Sequence, residues 1–186
     1  MNYIGKPIPR EEDLRLLQGR GRYTQDVSAL NEAQAYVLRS PAAHANIRSI
    51  DTAAAKEAPG VLGVFTGDDV RKSGLGRLKP VAPGKRSDGS PGFVCTQPLL
   101  AEERVRYAGE AVAFIVAETV NQAKDAAELI ELNFDQLPVV TSVDHALEPG
   151  APILWDENPG NEAYTFEKGD SAAVEAAFSN ATHIVR

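Results

Sequence analysis

The sequence predicts an α/β fold with α+β character, in which a mixed sheet is flanked by helices. Residues 105–119 contain a short apolar run, rich in β-branched and aromatic side chains, that leads directly into a helix-start pattern. Strand and helix patterns also alternate between residues 33 and 72, an order typical of layered α/β proteins. With 186 residues, 43% of them apolar and 24% charged, the chain has the composition of one globular domain or two small ones.

Residues 1–28 are predicted to form a polar N-terminal arm, which Pro7 and Pro9 interrupt and in which residues 11–18 form a short helix. The turn at residues 18–23 alternates glycine and arginine, and two interpretations compete for it. The arginines either bond to backbone carbonyls of an extended arm or form a phosphate cradle. The spacing is not that of a P-loop and no strand pattern precedes it, which favours the extended arm.

The first half of the domain, which we place at residues 29–186, is predicted to begin with strands at residues 33–39 and 45–51. Asp51 or Thr52 then caps an alanine-rich helix that ends at residues 59–60. Residues 61–66 form another strand, and Thr66 with Asp69 gives the capping-box pattern of the next helix.

A long loop is predicted at about residues 72–93, because glycine and proline are dense there and apolar periodicity is lost. Its basic residues are Lys79, Lys85 and Arg86. Loops of this length are uncommon in compact domains and are often functional. We interpret it as separating two halves of one domain.

The second half is predicted to begin with a strand in residues 105–119 that is buried on both faces. Thr119 and Gln122 cap the helix at residues 120–129, whose apolar face includes Val120. A strand at residues 131–134 follows, and Pro138 places its end at an edge or a bend.

The C-terminal part is predicted to contain a short helix from residue 141, a loop anchored by Trp155 and a strand at residues 163–167. Asp170 caps a helix that reaches Phe178 and packs through its apolar side chains, Val174, Ala177 and Phe178. Residues 182–186 resemble the first half of a strand. We therefore expect the chain to be truncated there.

Charge and cysteine content exclude several classes of protein. The formal net charge of −7 gives no support for binding nucleic acid or an anionic membrane. The single cysteine cannot form an intramolecular disulfide or a CxxC metal site, and it fits a reducing compartment. No apolar run approaches the length of a membrane span, and no signal peptide is evident. We expect a cytoplasmic protein.

The histidines and the cysteine do not form a predicted reactive site. His44, His145 and His183 are far apart and lack metal-ligand spacing, so structural roles are expected. A nucleophilic Cys95 would need a base and a group to orient that base. The sequence nominates neither, which favours an ordinary, partly buried cysteine.

Glu110 is the carboxylate of greatest interest, because it follows a glycine directly before the apolar run of residues 111–117. It either points at a neighbouring site or partner, or accepts hydrogen bonds from its own turn, which turn carboxylates commonly do. Asp68 and Asp69 are explained by helix capping. The expectation is therefore that this chain contains no catalytic, cofactor-binding or metal-binding residue.

Motifs along the whole chain resemble the start of the molybdenum-hydroxylase large subunits, the family of xanthine dehydrogenase, aldehyde oxidase and aerobic carbon monoxide dehydrogenase. Each motif is weak alone, but their shared order is specific. They lie at residues 4–7, 10–13, 19–26, 39–41, 44–45, 59–61, 105–110, 123–128, 137–139, 151–152 and 169–170. The chain departs from the family at Ala108 and Ala111, which would alter the turn around Glu110. It also departs at Ala42, which argues against a partner contact by the turn before His44.

The resemblance implies an α/β-hammerhead domain, the N-terminal structural domain of such a subunit. It further implies an oxidoreductase that hydroxylates or oxidises a small aldehyde, an N-heterocycle or carbon monoxide at a molybdopterin-bound molybdenum. The remaining domains of the same subunit and the 2Fe–2S and FAD subunits would be its partners, and a homodimer of the full complex is compatible with it. The cofactor-binding loops of the family follow this module, so the chain alone is expected to be inactive. The alternative is a free-standing adaptor that kept the fold without the enzyme, whereas a hydrolase has no supporting residues.

Overall fold

The computed structural model describes residues 3–80 and 84–185, which form short helices and two small sheets. A 3-10 helix at Thr24–Asp26 lies in the N-terminal arm. The other elements, in chain order, are α1 (Asp13–Leu17), β1 (Gln34–Arg39), β2 (Ala45–Asp51), α2 (Ala53–Lys56), β3 (Val61–Thr66), α3 (Gly67–Lys72), β4 (Arg104–Val105), β5 (Ala111–Ala117), α4 (Val120–Glu128), β6 (Glu131–Gln136), α5 (Val143–Ala146) and α6 (Ser171–Asn180).

The first sheet, which we call sheet A, has the order β1–β5–β3, and both of its pairings are antiparallel. The most apolar strand, β5, lies in the centre, where both of its edges are hydrogen-bonded. Within residues 105–119, the sequence predicts a turn at residues 107–110 followed by a strand, and the structure contains both, with β5 as the strand and Val105 at the end of the short strand β4.

The second sheet, sheet B, has the order β4–β2–β6 and is also antiparallel. Its edge strand β6 ends at Gln136, two residues before Pro138, as expected for a proline that cannot donate to a ladder.

The predicted mixture of helices and strands is confirmed. The strands of the described residues pair in two antiparallel sheets rather than in one mixed sheet.

The main core lies between sheet A and α4. Three alanines of α4 are buried against side chains of the central strand, and the small residues let the helix approach the sheet closely. The buried members are Ala55, Val64, Ala113, Ile115, Ala117, Ala123, Ala126, Ala127 and Ile130. Val120, predicted on this face, is largely exposed, and Ala126 is buried instead.

The prediction that β5 is buried on both faces is wrong at Phe114. On the face opposite α4, Val112 is buried in a second cluster with Val105 from sheet B. Phe114, two residues further along the same face, is 37% exposed. Sheet B and its neighbours thus cover only one end of this face.

The C-terminal helix α6 begins as predicted, because Asp170 Oδ1 accepts a hydrogen bond from the backbone N–H of Ala173 at 3.0 Å. The predicted packing of Val174, Ala177 and Phe178 is wrong, since every residue of α6 is exposed among the described residues. Nothing that the structure describes lies against this helix to bury it. The strand predicted at residues 163–167 is a single bridge from Thr165 to Lys85.

Residues 182–185 form no strand, and Arg186 of that prediction lies outside the described residues.

The long loop is fastened to the C-terminal part of the chain. The Arg86 guanidinium donates to Asn158 Oδ1 at 3.0 Å and to the Glu162 carbonyl at 3.3 Å. The Ser87 backbone N–H donates to the Glu162 carboxylate at 2.6 Å. This half of the loop is thus held in place, whereas residues 81–83 lie outside the described residues.

The capping box of α3 should be a measurable local contribution to stability. The Asp69 carboxylate accepts from the Thr66 backbone N–H at 2.8 Å and from its hydroxyl at 3.0 Å. We expect Asp69→Ala to lower the free energy of unfolding by about 1 kcal/mol. Asp68→Ala is the matched control in urea denaturation, because Asp68 only makes exposed ion pairs with Arg71 and Lys72. An equal loss in the free energy of unfolding for Asp69→Ala and Asp68→Ala would contradict the capping role of Asp69.

Candidate functional site

The three histidines lie apart, and only His44 is buried. His44 Nδ1 donates to the Pro138 carbonyl at 2.8 Å, which joins the start of β2 to the segment after β6. His145 in α5 and His183 near the C-terminus are exposed. In residues 3–80 and 84–185, no group of three or more His, Cys, Asp and Glu side chains could hold a metal ion.

Cys95 lies partly buried after the long loop, and Gln97 Nε2 donates to its Sγ at 3.5 Å. Burial raises the pKa of the thiol above its ordinary value. Reactive cysteines have the opposite property, a lowered pKa that maintains the thiolate. The geometry therefore agrees with an ordinary structural cysteine.

Glu110 is bound within its own turn, which is the second of the two interpretations given above. Its side chain is buried, with the residue 4% exposed, and Oε2 accepts the backbone N–H of Arg106 at 2.5 Å. The backbone of the same turn is tied to Ser40, which donates its N–H to the Glu110 carbonyl and accepts the N–H of Gly109, both at 2.8 Å. Glu110 thus fixes the connection between β4 and β5 against the end of β1.

The Arg106 side chain extends from this turn and stacks on Trp155. Its guanidinium carbon lies 3.8 Å from the ring centroid, and Nε donates to the Leu154 carbonyl at 3.0 Å. The Phe93 ring lies 5.9 Å from that of Trp155. The predicted anchoring of this loop by Trp155 is therefore confirmed, with Arg106 and Phe93 as its partners.

The contacts of Glu110, Arg106 and Trp155 hold three parts of the chain together. These parts are the β4–β5 turn, the end of the long loop and residues 154–155. A reaction centre would need a nucleophile next to a base or convergent donors at an open site, and the described contacts of these residues provide neither. The sequence did not reveal the stack of Arg106 on Trp155, because no local spacing links residues so far apart.

Burial should give Glu110 a characteristic effect on stability. Its pKa is raised above 4.5 mainly by burial, against the opposing hydrogen bond and charge of Arg106. The folded chain then holds the proton more tightly than the unfolded chain. Through Glu110, the free energy of unfolding should therefore fall as pH rises from the ordinary glutamate pKa to the raised pKa of the folded state, and this loss should stay constant at higher pH.

The measurement is urea denaturation of the chain and of Glu110→Gln across this pH range. Relative to the variant, the unchanged chain should lose stability as pH rises. Glu162→Gln is the control of opposite sign, because the Ser87 backbone N–H lowers the pKa of Glu162. The contribution of Glu162 to the free energy of unfolding is therefore lost as pH falls. A pH-independent difference between the unchanged chain and the Glu110→Gln variant would refute the assignment.

The glycine–arginine turn at residues 18–23 closes α1. The Arg20 backbone N–H donates to the Arg15 carbonyl at 3.0 Å, and its guanidinium donates to the Gln18 side chain. α1 has only five residues, and no strand leads into it among the described residues. Among the described contacts of Arg20 and Arg22, none joins an arginine side chain to a backbone carbonyl, so both interpretations of this turn stay predictions.

A predominantly apolar concavity lies on the face of sheet A opposite α4. We call it the Phe114 groove and define it by its lining residues. The groove has a volume of about 590 Å³ and is lined by Val37, Phe65, Asp69, Val70, Ser73, Leu75, Leu99, Leu100, Ala111 and Phe114. The sequence does not reveal this groove, because the apolar pattern of a strand does not show that one end of its sheet face is uncovered.

No helix within residues 3–80 and 84–185 has the length and apolar character needed to cross a membrane.

Comparison with known proteins gives a consistent result. The family model described as "Aldehyde oxidase and xanthine dehydrogenase, a/b hammerhead domain" matches residues 18–138. The large subunit of nicotine 6-hydroxylase from Paenarthrobacter nicotinovorans is 40% identical over 184 residues, which cover 99% of this chain and 22% of the relative.

Solved structures of relatives show the same fold. Quinoline 2-oxidoreductase from Pseudomonas putida 86 superimposes with a TM-score of 0.71 at 40% identity, over 86% of this chain and 20% of the relative. The Cu,Mo-CO dehydrogenase superimposes with a TM-score of 0.72 at 32% identity, over 96% of this chain and 23% of the relative. The chain thus spans about one fifth of the length of the relatives that it matches.

Proposed function

Because this chain belongs to the aldehyde oxidase and xanthine dehydrogenase hammerhead-domain family, we propose that it is the N-terminal structural domain of a molybdenum-hydroxylase large subunit. Its role is to brace the cofactor-binding domains and to present a surface to the partner subunits. The observation that carries the proposal is the nicotine hydroxylase match, which takes in 99% of this chain but only 22% of a protein named as a large subunit.

The residues that line the Phe114 groove do not fit a molybdenum cofactor. They contain no metal-binding group of side chains. The Phe114 groove has only Asp69 and Ser73 as polar lining side chains, and the Asp69 carboxylate is occupied by Thr66. A pterin needs several convergent donors and acceptors, so we assign the cofactor and the catalytic residues to the rest of the subunit.

The substrate class that we propose for the whole enzyme is an N-heterocycle. Two relatives at 40% identity are named for nicotine and quinoline, both N-heterocycles. A small aldehyde and carbon monoxide are the other substrates that the family resemblance implies. The preference for an N-heterocycle rests on the relatives and not on a contact of the described residues. We also propose 2Fe–2S and FAD subunits as electron-transfer partners.

A cytoplasmic location completes the proposal, supported by the single cysteine.

The alternative is a free-standing adaptor, which the contacts that fasten the long loop to Asn158 and Glu162 support. The polypeptide in the native cell distinguishes the two. An antibody against this chain should detect a polypeptide roughly five times as long, as the 22% coverage implies, and should co-purify molybdenum with iron and flavin. Detection of a polypeptide of this chain's own length, without molybdenum, would establish the adaptor.

A further inference from the structure

The Phe114 groove is centred on a row of apolar side chains that crosses all three strands of sheet A. Phe114 of β5 is the register partner of Val37 in β1 and of Phe65 in β3. Phe65 is 45% exposed and Phe114 is 37% exposed. The solvated face of an antiparallel sheet normally carries polar residues, so an apolar aromatic row indicates a contact surface.

The walls of the groove are also apolar. Val70 of α3 lies on its wall, and Leu75 and Leu99, both exposed, stand at its rim. The charged lining residue, Asp69, has its carboxylate engaged with Thr66. The groove therefore suits an apolar occupant, and it offers little to a charged one.

The outer face of α4 shows what a solvated surface of this chain looks like. Lys124, Asp125 and Glu128 are exposed there, while Ala123, Ala126 and Ala127 are buried on the inner side. The contrast with the aromatic row indicates that the two surfaces of the domain have different surroundings.

We propose that the Phe114 groove is covered by apolar side chains from the part of the same polypeptide that lies outside these 186 residues. This inference rests on the proposed function. Relatives carry about four fifths of their length beyond the matched region, given coverages of 22% and 20%. Permanent interfaces resemble a domain core cut in half, and a covalently connected segment is present at high effective concentration.

The exposed helix α6 independently indicates that more of the polypeptide packs on this domain. Six of its ten residues are apolar, Ala172, Ala173, Val174, Ala176, Ala177 and Phe178, and they cover most of the helix circumference, with Ser171, Glu175 and Ser179 on the remaining side. A helix that is apolar on most sides is normally buried.

The test is cysteine labelling of the longer gene product, followed residue by residue with peptide mass spectrometry. Phe114→Cys and Leu75→Cys report on the groove, and Leu75→Cys serves where the strand variant does not fold. Lys124→Cys on the exposed face of α4 is the matched control. In the native large subunit, separated from its partner subunits and monomeric, we expect a maleimide to label positions 114 and 75 roughly tenfold or more slowly than position 124. In urea the three rates should be equal.

Three results would overturn the inference. Positions 114 and 75 could be labelled as fast as position 124. Their protection could vanish when the partner subunits are removed, which would make a partner the occupant. Their protection could depend on protein concentration, which would make a second copy the occupant. Failure of the proposed function is distinguishable, because it would show as the absence of a longer polypeptide before any labelling.

Discussion

Replacing Ile115 by alanine is expected to lower the free energy of unfolding of this chain by about 2–5 kcal/mol. Ile115 has no exposed surface and lies in the central strand of sheet A. Its side chain belongs to the cluster formed with Ala123, Ala126 and Ala127 of α4. Alanine there would leave a cavity that the closely packed helix cannot readily fill. Urea denaturation at about 25 °C provides the measurement.

The neighbouring residue Phe114 is the matched control, because it lies in the same strand on the opposite face. Phe114→Ala should cost less than about 1.5 kcal/mol, since part of the ring is already in water. A loss as large as that of Ile115→Ala would mean that the Phe114 groove is already filled in this chain. It would then not be available to another segment.

Gly67→Ala is the second substitution with a large expected effect. Gly67 is the first residue of α3, and a Cβ built on it would lie 2.2 Å from the Ala101 carbonyl oxygen and 2.8 Å from the carbonyl carbon. Both contacts are with backbone, so α3 or the segment before β4 would have to move. We expect a destabilisation of about 2–3 kcal/mol, as in other overpacked interiors.

Gly76→Ala is the control for this substitution. A Cβ on Gly76 meets nothing within 4 Å, so its effect on thermal or urea unfolding should stay within about 0.5 kcal/mol. If Gly67→Ala were equally harmless, the close approach of α3 to residue 101 would not be a feature of the folded protein.

Local sequence signals predicted most of the elements, because their causes are local. The capping box of Thr66 and Asp69 depends on residues three apart, and the structure contains it. At the start of α4, the Thr119 hydroxyl likewise accepts the Gln122 backbone N–H at 3.3 Å. The Gln122 side-chain oxygen accepts a hydrogen bond from the Thr119 hydroxyl, and not from the Thr119 backbone N–H as a full capping box requires. The family resemblance, based on ordered motifs, predicted the fold class.

The errors concern what lies next to each element. Phe114 and Phe178 are both apolar and both predicted as buried, yet the structure leaves them exposed. An apolar pattern indicates that a residue prefers to be covered, but it does not identify the element that covers it. Arg106 and Trp155 illustrate the same limit, since their stacking depends on two distant turns meeting.

The candidate site follows the same division. The sequence favoured structural roles for His44, Cys95 and Glu110. In the structure, His44 bonds to Pro138, Cys95 to Gln97 and Glu110 to Arg106, which agrees with such roles. That this chain has no catalytic residue stays a prediction.

Molybdenum analysis of two preparations tests the central proposal most directly. One preparation is the native enzyme that contains this chain, and the other is the 186-residue chain purified alone. We predict stoichiometric molybdenum and dye reduction with an N-heterocycle in the first, and neither in the second. Stoichiometric molybdopterin bound to the isolated chain would contradict the account, because it would place the cofactor on residues to which we assign only a structural role.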